Sequence, residues 1–97
     1  MIMRSQPGRD TTRPPAPIQA EAEILGGQIR DARRRLGLGQ DEVAFAAHVS
    51  PRTVFAIEKG KPTVRFDMLA RVMSAVGLTL SAQPRDRVWR PGDAPTR

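Results

Sequence analysis

The chain has 97 residues with no cysteine and one histidine, which excludes disulfides and clusters of thiolate or imidazole metal ligands. Its 16 lysines and arginines exceed its 10 acidic residues and give a formal net charge of +6, which suits a polyanionic partner but also an ordinary basic protein. No apolar run is long enough to span a bilayer, and residues 1–17 lack the apolar segment of a secretion signal. We therefore expect a cytoplasmic protein that does not contact a membrane.

Catalytic chemistry has little support in this sequence. It contains no recognisable pairing of a nucleophile with a base, no metal-ligand spacing and no glycine-rich loop that follows a strand. We therefore do not expect an enzyme, and we expect no cofactor.

Proline marks the domain boundaries, because seven of the nine prolines fall outside residues 21–83. Such flanks lack backbone donors and the apolar content that offsets the entropy of ordering. We expect residues 1–20 to form a disordered N-terminal arm, residues 21–83 to form the folded domain, and residues 84–97 to form a flexible basic tail.

The first periodic segment, AEAEILGGQIRDARRRLG, predicts a helix although the glycines at 26–27 weaken its first turns by about 1 kcal/mol each relative to alanine. The residues that share its apolar face are Leu25, Ile29, Ala32 and Leu36.

Two short helices follow. The stretch QDEVAFAAH has acidic residues in its first turn, where the helix dipole favours them, and Ser50-Pro51 predicts the start of the next helix by capping. Helices this short do not persist alone in water, so they need a shared apolar contact. The residues predicted to supply it are Val43, Ala47, Val49, Val54 and Ile57, and Ala44 and Ala47 are small enough to let the helices cross closely.

The last part of the domain predicts a fourth helix and then a strand. The fourth helix carries Phe66, Leu69, Val72, Met73 and Val76 at helical spacing. After it, residues 78–83 alternate between apolar and polar side chains, which is the period of a strand. A single strand cannot satisfy its hydrogen-bond ladder, so it either packs as an extended arm or pairs with the same strand of a second subunit.

The directions in which the side chains of the third helix point indicate a binding surface. Val54 and Ile57 must face the core, so Arg52, Thr53 and Ala56 point outward near its N-terminal half. An exposed helix N-terminus with a cap hydroxyl and an arginine suits the major groove of DNA, where backbone N–H groups meet phosphate and arginine contacts guanine through two hydrogen bonds.

The segment LGLGQDEVAFAAHVSPRTVFAIEKGK resembles, without a gap, the Cro/repressor-type helix-turn-helix of the Xre family. The resemblance covers roughly residues 22–77 and implies an all-α, lambda-repressor-like domain of four to five helices. It departs at His48, where the family usually has a turn glycine, although histidine tolerates a positive φ better than most residues.

The resemblance also implies roles for individual residues. Gln40 would contact a phosphate, and a partly buried ion pair between Arg33 and Glu58 would tie the first helix to the recognition helix. Apart from the resemblance, adjacent helix positions point about 100° apart, so we expect Arg34 and Arg35 to remain solvated. The implied DNA-binding set is Gln40, Ser50, Pro51, Arg52, Thr53, Ala56, Lys59 and Lys61.

A narrower resemblance concerns GKPTVRFDMLARVMSAVGLTLSAQ, which is similar to HipB-type antitoxins. It implies a homodimer that pairs through Leu78, Leu80 and Ala82, represses its own operon by binding operator DNA, and holds a HipA-like kinase toxin. Trp89 is then a candidate anchor for the partner, but it could equally fold back on its own domain or have no role. The alternative is a stand-alone Xre-type regulator without a toxin.

Two further residues allow more than one interpretation. Phe55 either packs beneath the fourth helix, which we favour, or touches a thymine methyl group. A lone histidine at a turn is more often a surface or capping residue than a pH switch or metal ligand, so we assign His48 no chemical function.

Overall fold

The computed structural model of the protein describes residues 16–84, and within them the chain forms four α-helices. The helices are α1 (Ala16–Arg35), α2 (Gln40–Ala47), α3 (Pro51–Glu58) and α4 (Phe66–Ala75). The predicted all-α class is therefore confirmed. None of these helices combines the length and the apolar composition that crossing a membrane requires.

Helix α1 begins at Ala16, five residues before the domain boundary that the prolines indicated. Pro17 lies in its first turn, where a missing N–H leaves no intrahelical bond unmade, so this proline is compatible with a helix start. The predictions for residues 1–15, for residues 85–97 and for Trp89 lie outside the described residues.

The core is aliphatic and lies between α1, α2, α3 and α4. Most of the predicted core positions are buried, but Leu36 and Phe66 are exposed, and Phe66 keeps 68% of its surface in solvent. Leu36 lies one residue past the end of α1 and Phe66 is the first residue of α4, so both lie beyond the neighbouring helices that cover the middle of each apolar face. The buried core residues are Ile29, Ala32, Val43, Ala44, Ala47, Val54, Ile57, Val72, Met73 and Val76.

The strand predicted at residues 78–83 is absent, and this part of the described chain has no regular secondary structure. A strand needs a neighbour to satisfy its ladder of backbone hydrogen bonds, and the described part of a single chain offers none. Leu78 packs against the core, whereas Leu80 is exposed. The prediction of a strand was therefore wrong for the single chain.

The turn between α2 and α3 is left-handed at His48, with φ 60° and ψ 45°. The backbone N–H of Val49 donates to the carbonyl of Ala44, which closes the end of α2. Arg71 Nη1 in α4 donates to the carbonyl oxygen of His48 across 3.3 Å. Histidine therefore adopts here the conformation that glycine usually supplies.

Candidate nucleic-acid interface

The C-terminal end of α3 is held by a buried ion pair with α1. Arg33 Nε donates to Glu58 Oε2 across 2.7 Å, and Arg33 Nη2 donates to Glu58 Oε1 across 3.0 Å. The two side chains are 11% and 4% exposed. Arg33 Nη1 also donates to the carbonyl of Leu38, which ties the loop before α2 to the same guanidinium. A pair with this two-bonded geometry fixes the orientation of α3 relative to α1.

Two opposing effects act on the pKa of Glu58. Burial raises the pKa of Glu58. The hydrogen bonds that Arg33 and Gln40 donate and the positive charge of Arg33 lower that pKa by more than burial raises it, so the net pKa lies below its ordinary value. The same contact raises the pKa of Arg33. Glu58 is therefore an ionised carboxylate whose negative charge is balanced by the positive charge of Arg33 inside the protein.

Gln40 belongs to this buried network as well as to the predicted DNA-binding set. Its Nε2 atom donates to Glu58 Oε1 across 3.0 Å. A side-chain amide has two N–H groups, so one of them remains for a further acceptor. Gln40 opens α2, and its side chain is half-buried at the junction of α2 with α3.

Two glycines allow α1 to approach the C-terminal end of α3 closely. A Cβ atom at Gly26 would collide with the carbonyl oxygen of Ile57 and would lie 2.8 Å from that of Glu58. Gly60 has φ 89°, and a Cβ atom there would lie 2.6 Å from Glu23 Cγ. Backbone therefore packs on backbone where α1 crosses α3. Gly26, which weakens α1 in the sequence, is required for this close packing.

The N-terminal end of α3, in contrast, is exposed and capped. Ser50 Oγ accepts a hydrogen bond from the backbone N–H of Thr53 across 3.1 Å, and the hydroxyls of these residues lie 3.0 Å apart. Pro51 is the first residue of the helix. Arg52 is exposed and makes no hydrogen bond or ion pair within residues 16–84. Its guanidinium is therefore available for an external acceptor.

Positive charge continues along α3 and past its end. Arg52, Lys59 and Lys61 are exposed, while Glu58, the acidic residue of α3, is buried and paired. The Lys59 ammonium lies 5.7 Å from the centroid of the Phe55 ring, one helical turn earlier. The exposed side of α3 thus presents cations without a carboxylate among the residues of the helix.

The structure places most of the predicted binding residues on or beside α3, with Gln40 at the adjoining end of α2. Ala56 and Thr53 are half-buried. The predicted dimerisation segment is separate: Leu78 and Leu80 line a groove of about 590 Å³ together with Leu25 and Met73.

Three features of the site were not predicted. The contact between Gln40 and Glu58 and the crossing at Gly26 depend on how separate helices pack, which no local pattern reveals. The proximity of Phe55 and Lys59 could have been anticipated, because residues four apart are neighbours on a helix surface. Phe55 is 51% exposed, so our expectation that it packs beneath α4 was wrong.

Comparisons with known proteins agree with this geometry. The family model of the helix-turn-helix domain matches residues 24–87. An uncharacterized HTH-type transcriptional regulator, y4mF of Sinorhizobium fredii (strain NBRC 101917 / NGR234), is 33% identical over 63 residues, which is 65% of this chain and 82% of the relative. The crystal structure of the clp gene regulator ClgR from C. glutamicum has a TM-score of 0.53 at 34% identity, over 60% of this chain and 75% of the other. The chain therefore belongs to the Xre-like family of DNA-binding helix-turn-helix transcriptional regulators.

Proposed function

We propose that the protein is a sequence-specific repressor that places the N-terminal end of α3 in the major groove of its operator. The observation that carries this proposal is the contrast between the ends of α3. Its C-terminal end is held by the buried pair of Arg33 and Glu58, and its N-terminal end presents an exposed, capped turn whose Arg52 has no partner among residues 16–84. A fixed helix with a free basic tip suits groove recognition.

Arg52 is the residue that we propose to read a base. Its guanidinium is exposed and can form the two hydrogen bonds by which arginine recognises the O6 and N7 atoms of guanine. Ser50 and Thr53 flank it and present their hydroxyls to bases or phosphates, and Pro51 and Ala56 contribute surface to the same face. Gln40, Lys59 and Lys61 contact phosphates.

The test of this proposal begins with selection of duplexes from a random library, which defines the operator. Arg52→Ala should then cost about 1–3 kcal/mol on the selected duplex and little on random duplex. Arg52→Lys is the matched control, because it keeps the charge and loses the planar fork that contacts guanine. We expect it to keep affinity for random duplex and to lose preference for the operator.

Equal losses on both duplexes for Arg52→Ala would assign the residue to phosphate contact. A selection that enriches no sequence, together with no footprint on the DNA upstream of the coding region, would contradict the proposal as a whole.

We also propose that the repressor is a homodimer that forms through Leu78, Leu80 and Ala82. In support, Leu80 is exposed beside an open groove, and residues 79–83 have no regular secondary structure and make no backbone–backbone hydrogen bond within the described chain. Two recognition helices would then lie about 34 Å apart and require a near-palindromic operator. Leu80→Glu should make the protein monomeric in analytical ultracentrifugation, and an unchanged mass would place the interface elsewhere.

The sequence predicts two forms of this repressor, a HipB-like antitoxin that holds a kinase toxin and a stand-alone regulator. The antitoxin form rests on the resemblance of residues 60–83 to such proteins and on Trp89. Co-expression with the product of the adjacent reading frame separates the two forms. A stable complex with a kinase-like neighbour supports the antitoxin, and a neighbour of another class leaves the stand-alone regulator.

A further inference from the structure

The three phenylalanines of the chain are all exposed, and one of them lies beneath a cation. Phe45, Phe55 and Phe66 keep 86%, 51% and 68% of their surfaces in solvent. Of these, Phe55 has the Lys59 ammonium 5.7 Å from its ring centroid, which is within the range of about 6 Å for attraction between a cation and the face of an aromatic ring. An exposed aromatic ring on a binding helix therefore has a specific neighbour.

We propose that Phe55 is a positioning residue that holds the Lys59 ammonium ready for a phosphate of bound duplex DNA. This inference rests on the proposed function and assigns to Phe55 a role that acts through Lys59. The ligand is a phosphodiester oxygen, so the contribution is independent of base sequence.

The backbone of Lys59 is already fixed, which leaves only its side chain to be ordered. Its N–H donates to the carbonyl of Phe55 across 3.0 Å, and the next turn closes with bonds from Gly60 to Ile57 and from Lys61 to Ala56. A lysine side chain is flexible and loses rotamer freedom when it binds a phosphate. A ring that already restrains the ammonium reduces the freedom that remains to be lost, which is preorganisation.

The charge of Lys59 is also available. Lys59 has no ion pair with a carboxylate in residues 16–84, and the nearest acidic residue in sequence, Glu58, is occupied by Arg33 and Gln40. The ring attracts the ammonium without neutralising it, so the full charge can still meet a phosphate. A carboxylate in the place of Phe55 would cancel that charge.

The competing role for Phe55 is direct contact with a thymine methyl group. That role requires a particular base, acts without Lys59, and is lost on duplexes that lack the base. Positioning of Lys59 instead requires Lys59 and acts on duplexes of any sequence, so the two roles are separable by experiment.

The experiment measures affinity for a mixed-sequence duplex without the operator, at several salt concentrations, for the full chain. Phe55→Leu should weaken binding about two- to fivefold, because part of the cost of ordering the Lys59 side chain would again be incurred on binding. Phe55→Tyr, which keeps an aromatic face, should bind like the wild type. In a Lys59→Met background Phe55→Leu should cause no further loss, whereas in a Lys61→Met background it should cause its full loss.

Two readouts separate positioning from a general structural effect. Lys59→Met should lower the slope of log affinity against log salt by about 0.9, and Phe55→Leu should leave that slope unchanged because the charge remains. In the free protein, the side-chain methylene protons of Lys59 should show an upfield ring-current shift that disappears in Phe55→Leu.

The inference is overturned if Phe55→Leu has its full effect without Lys59, if its loss appears only on the operator, or if Phe55→Leu binds like the wild type. Absence of the ring-current shift in the free wild-type protein would overturn it too, even where duplex binding is normal. A wild-type protein that binds no duplex at all would instead refute the proposed function.

Discussion

The two ends of helix α3 have opposite environments although the helix, Pro51–Glu58, has only eight residues. At the C-terminal end, Glu58 is buried and accepts hydrogen bonds from Arg33 and Gln40. At the N-terminal end, Ser50 caps the helix in solvent and Arg52 has no partner within the described chain. The comparison separates two tasks, since one end fixes the position of the helix and the other end remains free to bind.

Removal of the Glu58 carboxylate should have the largest effect. Glu58→Ala leaves the buried Arg33 guanidinium without its partner, which should lower the free energy of unfolding by about 3–5 kcal/mol in urea denaturation. Asp31→Ala, which breaks the exposed pair of Arg30 and Asp31 at 3.8 Å, is the control and should change it by about 0–1 kcal/mol. Similar small losses in both variants would show that the buried end does not hold the helix.

Acid should remove part of the same stabilisation. The pKa of Glu58 is lower in the folded protein than in the unfolded chain, so the unfolded chain binds the proton first as pH falls. The contribution of Glu58 is complete above the unfolded pKa of about 4.3 and is lost as pH drops through the folded pKa. Urea midpoints between neutral and acidic pH should therefore fall more steeply for the wild type than for Glu58→Gln, and parallel curves would contradict this assignment.

The crossing of α1 with α3 should respond oppositely to alanine at two adjacent glycines. Gly26→Ala places a methyl group against the carbonyls of Ile57 and Glu58 and should destabilise the fold by about 1–3 kcal/mol. Gly27→Ala meets its nearest atom, Arg30 Nη2, at 3.8 Å and should stabilise the fold by about 0.5–1 kcal/mol through helix propensity. Thermal unfolding measures both, and a Gly26→Ala variant as stable as the wild type would mean that the close approach is not a constraint.

The exposed end of α3 should contribute much less to stability than the buried end. Ser50→Ala removes the side-chain acceptor for the N–H of Thr53 and should cost about 1 kcal/mol in chemical denaturation. Ser50→Asp keeps an acceptor at the cap and should unfold like the wild type. If Ser50→Ala cost as much as Glu58→Ala, the two ends of α3 would not differ as described.

The helix-turn-helix could be predicted from sequence because its signals are local. Ser50-Pro51 fixes the start of α3, the spacing of Val54 and Ile57 fixes its buried face, and the motif residues implied the pair of Arg33 and Glu58 that the structure contains. These features depend on capping and helical periodicity, which a short window of residues determines.

The errors lie where local pattern carries no information about neighbours. Phe66 has the spacing of a core residue, but periodicity does not reveal where the covering helices end. Residues 78–83 have the period of a strand, but a strand forms only with a partner. Gly26 reads as a weak helix former until the crossing with α3 shows which atoms face it.

The first turns of α1, which precede the domain boundary predicted from proline content, contact the loop that follows the recognition helix α3. Gln19 Nε2 donates to the carbonyl oxygen of Gly60 across 3.1 Å, and Glu23 packs against the same glycine. A protein trimmed to begin at residue 21, as proline content alone would suggest, would retain α2, α3 and α4 but lose this tether. Minimal versions of this regulator should therefore retain the helix from Ala16 onward, because an apparently dispensable extension anchors the loop from which Lys59 and Lys61 project.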